Sequence, residues 1–140
     1  MTTVKESKEE LLVQMSGLII ELRALGSGYN EQSHKTAMRR IADKTYDIRE
    51  DLTRGIQLVE HSIEHGGHVS GLDLVRITGC SASDLGYVTP IRCGVLVPDN
   101  NPGRVNKTYG LSSDDVGPRY IETARRLDDL VGRFHSLVGV

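Results

Sequence analysis

Three histidines lie close together in the sequence and have the chemistry of metal ligands. His61 and His65 are four residues apart in a predicted helix, which places them on one helix face, and His68 follows shortly afterwards. With Cys80 they offer imidazole nitrogen and thiolate sulfur, both of which suit Zn²⁺. The same histidines also fit a polar helix end, where cationic side chains favour the terminal carbonyl groups. The H-E-x-x-H spacing of a metalloprotease is absent, so we expect a polar helix end and no metal or other cofactor.

The two cysteines are the other reactive side chains. Cys80 follows a predicted turn glycine at a position that is normally buried, so we expect a core residue. Cys93 would be a reactive thiol only in electropositive surroundings. Two cysteines in a chain of 140 residues do not indicate a disulfide framework, and neither a signal peptide nor an apolar run of membrane-spanning length is recognised. These features predict a cytoplasmic protein.

Motifs of common enzyme active sites are missing from the sequence. It contains no nucleophile elbow, phosphate-binding glycine loop or paired-carboxylate motif. The turn Gly26-Ser27-Gly28 is too short to hold a phosphate and follows a helical pattern instead of a strand. We therefore expect a helix break at this turn and a protein that is not an enzyme.

Residues 66–112 change hydrophobic period three times. Ser70 and Asp73 form a capping-box signal for a short apolar helix, which ends at Gly79 because glycine tolerates the left-handed conformation of a helix end. Ser81 then caps a second short helix, and Pro90 limits its length. After it the period becomes that of strands, over 95–97 and 105–111, with a turn between them. The order is helix, tight turn, helix, hairpin.

This run resembles the winged helix-turn-helix of bacterial and archaeal transcription regulators, such as the MarR-like and PadR-like groups, over about a third of the chain. The inner apolar positions and the turn glycine of that motif correspond to Leu74, Gly79, Leu85 and Val88. Gly94-Val95-Leu96-Val97 is similar to the "G-L-V" that leads into a wing. The segment from Gly103-Arg104 to Tyr109-Gly110-Leu111-Ser112 is similar to the returning strand. Pro90 predicts a short recognition helix.

The resemblance implies double-stranded DNA as the partner. The second helix of such a motif lies in the major groove, and the wing contacts the backbone or the minor groove. The residues that would make these contacts are Ser81, Ser83, Asp84, Tyr87, Arg92, Arg104 and Lys107. Serine discriminates bases weakly, whereas Asp84 can accept from a cytosine amino group. Lys35, Arg39, Arg40 and Lys44 would add positive charge, or they form an ordinary solvated helix face with Asp43 and Asp47.

Long amphipathic helices are predicted on both sides of this segment. A capping box at Ser7 and Glu10 starts the first helix, which runs to about Leu25. A second helix extends from residue 31 to residue 65, with Gly55 as the expected place of a bend or break. Pro118 starts the last helix. Apolar residues of the first and last helices follow a heptad spacing: Leu11, Met15, Leu18, Leu22 and Leu25, then Tyr120, Ala124, Leu127, Val131, Phe134 and Val138.

The predicted fold is one domain, mainly α with a small β-hairpin wing. Residues 1–65 form N-terminal dimerisation helices, 66–112 the winged segment, and 113–140 a helix that completes the dimer core; their net charges are −2, +1 and −1. Two functions fit this pattern. One is a homodimeric DNA-binding transcription regulator. The other, which the near-neutral winged segment favours, is a winged-helix module that binds protein, as a subunit of a larger assembly.

Overall fold

The computed structural model describes residues 7–26, 31–42, 48–79, 89–99 and 108–138. Within these ranges the elements are α1 (Lys8–Ala24), α2 (Glu31–Ala42), α3 (Ile48–Glu64), β1 (His68–Ser70), α4 (Gly71–Thr78), α5 (Thr89–Arg92), β2 (Leu96–Asp99), β3 (Thr108–Leu111) and α6 (Val116–Val138). The described part is mainly helical with a small antiparallel sheet, which confirms the predicted class. None of its helices has both the length and the apolar character that crossing a bilayer requires.

Local sequence determines where α1 begins. The Ser7 hydroxyl accepts a hydrogen bond from the Glu10 amide at 3.1 Å, and the Glu10 carboxylate accepts one from the Ser7 amide at 3.5 Å. The predicted capping box is thus confirmed. At the other end, Gly26 lies against the backbone of the segment between α5 and β2. A Cβ at this position would overlap the carbonyl oxygen of Cys93.

The main hydrophobic core lies between α1 and α6, and α3 packs against α6 as well. The heptad residues of the first and last helices are buried in this core, apart from Leu25 and Val138, which are partly buried. The two seams therefore pack within a single chain and are covered without a second subunit. A homodimer stays a prediction, but it would have to use a different surface from the one that the heptad pattern suggested.

The predicted long helix from residue 31 to residue 65 is divided into α2 and α3. The expected break at Gly55 is wrong, because α3 continues through this residue from Ile48 to Glu64. Glycine lowers helix stability by about 1 kcal/mol relative to alanine. Glycine nevertheless suits position 55, because the hydroxyl of Tyr120 occupies the space that the Cβ of any other residue would fill. At the end of α2, the Ile41 carbonyl accepts a hydrogen bond from Nε2 of His135 at 3.1 Å, which anchors this end to α6.

Two ion pairs at the surface align α3 with α6. Arg49 donates to both carboxylate oxygens of Asp128, at 2.9 and 3.2 Å, and Arg125 donates to Glu60 at 3.3 Å. Exposed ion pairs of this kind each contribute at most about 1 kcal/mol. They therefore fix the register of the two helices more than they stabilise the fold.

Candidate nucleic-acid interface

A three-stranded sheet stands at the centre of the winged segment. β1 pairs with β3 and β3 pairs with β2, all antiparallel, so the sheet order is β1-β3-β2. The sequence predicted only the β2–β3 hairpin. The strand β1, with His68 opposite Gly110 and Val69 opposite Tyr109, was missed because three residues with one apolar side chain give no strand signal.

The segment has a small hydrophobic core of its own, separate from the core between α1 and α6. Leu58 of α3, Val69 of β1 and Leu74 of α4 meet there, together with Leu96 and Tyr109 of the sheet. All five side chains are buried. The sheet and α4 thus pack on α3 around the side chain of Leu58.

Helix α4 begins and ends where the sequence predicts. The Ser70 hydroxyl accepts a hydrogen bond from the Asp73 amide at 3.1 Å, which satisfies one free amide of the first turn. Gly79 ends the helix in the left-handed conformation at φ 71°. Inside the last turn, the buried Thr78 hydroxyl donates to the Leu74 carbonyl at 2.8 Å.

A polar contact joins the end of α3 to α4. Nε2 of His61 lies 3.7 Å from a carboxylate oxygen of Asp73, and the other oxygen of that carboxylate accepts from Arg76 at 2.9 Å. Arg76 is an exposed cation of α4, 71% accessible at its side chain. It was not among the residues predicted from the sequence, although its position in the predicted helix-turn-helix would have marked it as a possible phosphate contact.

The three histidines do not form a common site. The rings of His61 and His65 stack with centroids 4.0 Å apart, and Nδ1 of His65 donates to the carbonyl oxygen of His61 at 2.8 Å. His68 belongs to β1 and pairs with Gly110. Cys80 lies outside the described residues. Within the described ranges, no three His, Cys, Asp or Glu side chains are placed to hold a metal ion.

Cys93 is a buried core residue and not a reactive thiol. It is fully buried between α5 and β2, and burial raises the pKa of its thiol from 9.0 to about 11. The guanidinium groups of Arg23 and Arg92 favour the thiolate, but their effect is smaller than that of burial. Burial therefore favours the protonated thiol, which is a weaker nucleophile than the thiolate.

Of the seven predicted DNA contacts, the structure describes only Arg92. Arg92 is the last residue of α5 and is half-buried. The other six candidates lie outside the described residues: Ser81, Ser83, Asp84 and Tyr87 precede α5, and Arg104 and Lys107 belong to the connection between β2 and β3. Asp99 and Thr108, the residues that flank this connection, are partners in the sheet register.

The cations of α2 have neighbours within the protein. Lys35 forms an exposed ion pair with Glu31 at 3.4 Å. Burial raises the pKa of Asp51 in α3, and the charges of Arg40 and Arg54 oppose that rise, which places Arg40 beside α3. Arg39 is exposed, and Lys44 lies outside the described residues. Lys35 therefore fits the predicted solvated helix face better than it fits a phosphate contact.

Comparison of the chain with protein-family models, with curated proteins and with solved structures finds no match.

Proposed function

We propose that this protein is a DNA-binding transcription regulator that acts as a homodimer through a winged helix-turn-helix. The observation that supports this most strongly is the strand β1, which directly precedes α4 and pairs with β3 in the sheet order β1-β3-β2. This pairing joins the chain before α4 to the returning strand of the predicted wing. The predicted recognition helix from Ser81 lies outside the described residues, and α5 is a single turn that contains Pro90. The small core around Leu58 and Leu74 supports the proposal too, because it fixes α4 against the sheet.

The charges favour binding through the phosphate backbone over base recognition. The winged segment has a net charge of +1, and its two wing cations, Arg104 and Lys107, stand in the connection between β2 and β3. Phosphate contacts provide affinity and orientation without sequence information. Ser83 and Tyr87 would add modest base preference, since the predicted recognition helix between Ser81 and Pro90 contains no Arg or Lys to form a bidentate pair with guanine.

A second function is supported by an exposed apolar side chain on α4. Leu72 is 70% accessible, in the helix that precedes the predicted recognition helix. A large apolar side chain at this position is more typical of a protein interface than of a phosphate contact. The alternative is therefore a winged-helix module that binds another protein through the same face and does not recognise DNA sequence.

A binding assay separates the two functions. Fluorescence anisotropy of a labelled random-sequence duplex should show binding at low salt that weakens steeply as salt is raised, because each phosphate contact releases counterions. Leu72→Ser is the matched variant for the alternative and should leave this binding unchanged. An absence of binding at low salt would remove the DNA function and leave the interaction module.

A further inference from the structure

A buried arginine lies at the end of α1. Arg23 belongs to the last turn of this helix and is only 8% accessible. Among the described residues, its guanidinium group has neither a carboxylate within ion-pair distance nor a hydrogen-bond partner. Arginine is rarely buried this far unless it is paired, because removing a charge from water is costly. The carbonyl-rich end of α1 favours a positive charge, but that effect is smaller than the lost hydration. The described part of the chain therefore leaves the charge of Arg23 largely uncompensated.

A second buried hydrogen-bond donor belongs to α6. Tyr120 is fully buried, and its hydroxyl has no hydrogen-bond partner within the described residues. The hydroxyl lies against Gly55 of α3, which also faces the ring of Pro90 in α5. A buried hydroxyl without a partner has lost its hydrogen bonds to water and has gained none in exchange. The core thus contains one charged and one neutral donor group that need an acceptor.

The short segment around α5 brings these two donor groups together. Gly26 packs against the backbone that directly follows α5. Arg23 precedes Gly26 by three residues, so it lies on the same side of the chain and faces this segment too. The hydroxyl of Tyr120 lies beside the proline of α5. Burial raises the pKa of Tyr120, and the positive charge of Arg23 opposes that rise, so the guanidinium group is within electrostatic reach of the phenol.

The acidic groups near this cluster do not neutralise Arg23. The charge of Asp51 also acts on Tyr120, but the arginines that act on the Asp51 carboxyl are Arg40 and Arg54. Burial favours the neutral thiol of Cys93, so this side chain provides no negative charge either. An anion from solution would supply both the missing charge and an acceptor for the two donor groups.

We propose that Arg23 and Tyr120 bind a small monovalent anion, which is either a halide or the carboxylate group of a small acid. The guanidinium group provides a positive charge and several N–H donors in one plane, and the phenol adds one O–H donor. The ligand is small because both donor groups belong to a packed core. Such an anion would link the end of α1 to α6 beside α5. The proposal concerns a site apart from the predicted DNA contacts and does not depend on DNA binding.

Thermal unfolding at constant ionic strength tests this site. Sodium chloride or sodium acetate replaces sodium gluconate, whose anion is too bulky for a packed core. Because the anion binds only the folded protein, the Tm should rise by about 3–6 °C at an anion concentration about ten times the dissociation constant. The more effective of chloride and acetate shows whether the site prefers a halide or a carboxylate. Equal Tm values in all three salts would overturn the proposal.

Three variants separate this site from general effects of salt. Arg23→Met removes the charge and keeps an unbranched side chain. It should abolish the response to chloride and acetate, and in gluconate its Tm should equal or exceed that of the wild type, because an uncompensated charge has been removed. Tyr120→Phe should raise the dissociation constant of the anion by about tenfold, the usual loss for one hydrogen bond to a charged group. Arg126→Met removes an exposed arginine of α6 and should respond as the wild type does. An undiminished response in Arg23→Met or in Tyr120→Phe would contradict the proposed site.

Discussion

The hydroxyl of Tyr120 lies directly against Gly55, in the space that any larger residue of α3 would need for its Cβ. Tyr120 is fully buried, and within the described residues its hydroxyl has no hydrogen-bond partner. Burial also raises the pKa of Tyr120 well above its usual value. The packing of α6 on α3 thus depends on a shape match between a buried phenol and a helix glycine.

Alanine at Gly55 should therefore destabilise the protein, even though alanine is the better helix former. We expect Gly55→Ala to lower the free energy of unfolding by about 1–3 kcal/mol, the usual cost of overpacking a core. Tyr120→Phe removes the obstructing hydroxyl and an unsatisfied polar group, so this change alone should be neutral or stabilising. In urea denaturation the double variant should recover most of the loss. Equal losses in the single and double variants would show that the hydroxyl is not the obstacle.

Gly26 differs from Gly55 because the atoms that obstruct it belong to the backbone. A Cβ at Gly26 would overlap the carbonyl groups of Cys93 and Gly94. Backbone atoms move less readily than the end of a side chain, so we expect Gly26→Ala to cost at least as much as Gly55→Ala, about 2 kcal/mol or more. Shortening the neighbouring side chain by Cys93→Ala should give no rescue. A rescue in thermal or urea denaturation would mean that the Cys93 side chain, and not its carbonyl, limits the space.

The buried thiol of Cys93 predicts a loss of stability at alkaline pH. Burial raises the pKa of this thiol from its ordinary value of 9.0 to about 11 in the folded protein, so the folded state binds more protons between pH 9 and pH 11. Stability should therefore fall as pH rises through this range, by at most about 1.4 kcal/mol per pH unit from this group. In urea titrations Cys93→Ala should reduce that slope, whatever its effect at neutral pH. Tyr120→Phe is the control for the buried phenol, which acts in the same direction, and an unchanged slope in Cys93→Ala would contradict the assignment.

Local signals in the sequence predicted the ends of elements well. Ser7, Ser70 and Gly79 have side-chain and backbone preferences that act over three or four residues, and all three are found at the predicted helix ends. The strands β2 and β3 overlap the predicted strands 95–97 and 105–111, although β2 continues to Asp99, where the sequence predicted the turn. These features depend on chain neighbours alone, so no knowledge of tertiary packing was needed.

Tertiary contacts explain what the sequence did not predict. Gly55 has the local signature of a helix break, but the helix continues through it, and the hydroxyl of Tyr120, 65 residues later, occupies the space that a larger residue would need. The heptad spacing of α1 and α6 showed correctly which faces are buried, but a spacing cannot tell a second helix of the same chain from a helix of another chain. For the candidate site, charge and spacing identify Arg104 and Lys107, and their geometry lies outside the described residues.

The salt dependence of DNA binding tests the central claim most directly. For a random-sequence duplex, the slope of the logarithm of the binding constant against the logarithm of salt concentration should be clearly negative. Arg104→Ala should weaken binding about equally on all sequences and make the slope shallower by roughly one for each phosphate that the arginine neutralises. Arg119→Ala removes the same charge from the start of α6 and should change neither quantity. Binding that does not respond to salt, or that is the same in the wild type and in Arg104→Ala, would contradict a winged-helix DNA-binding function.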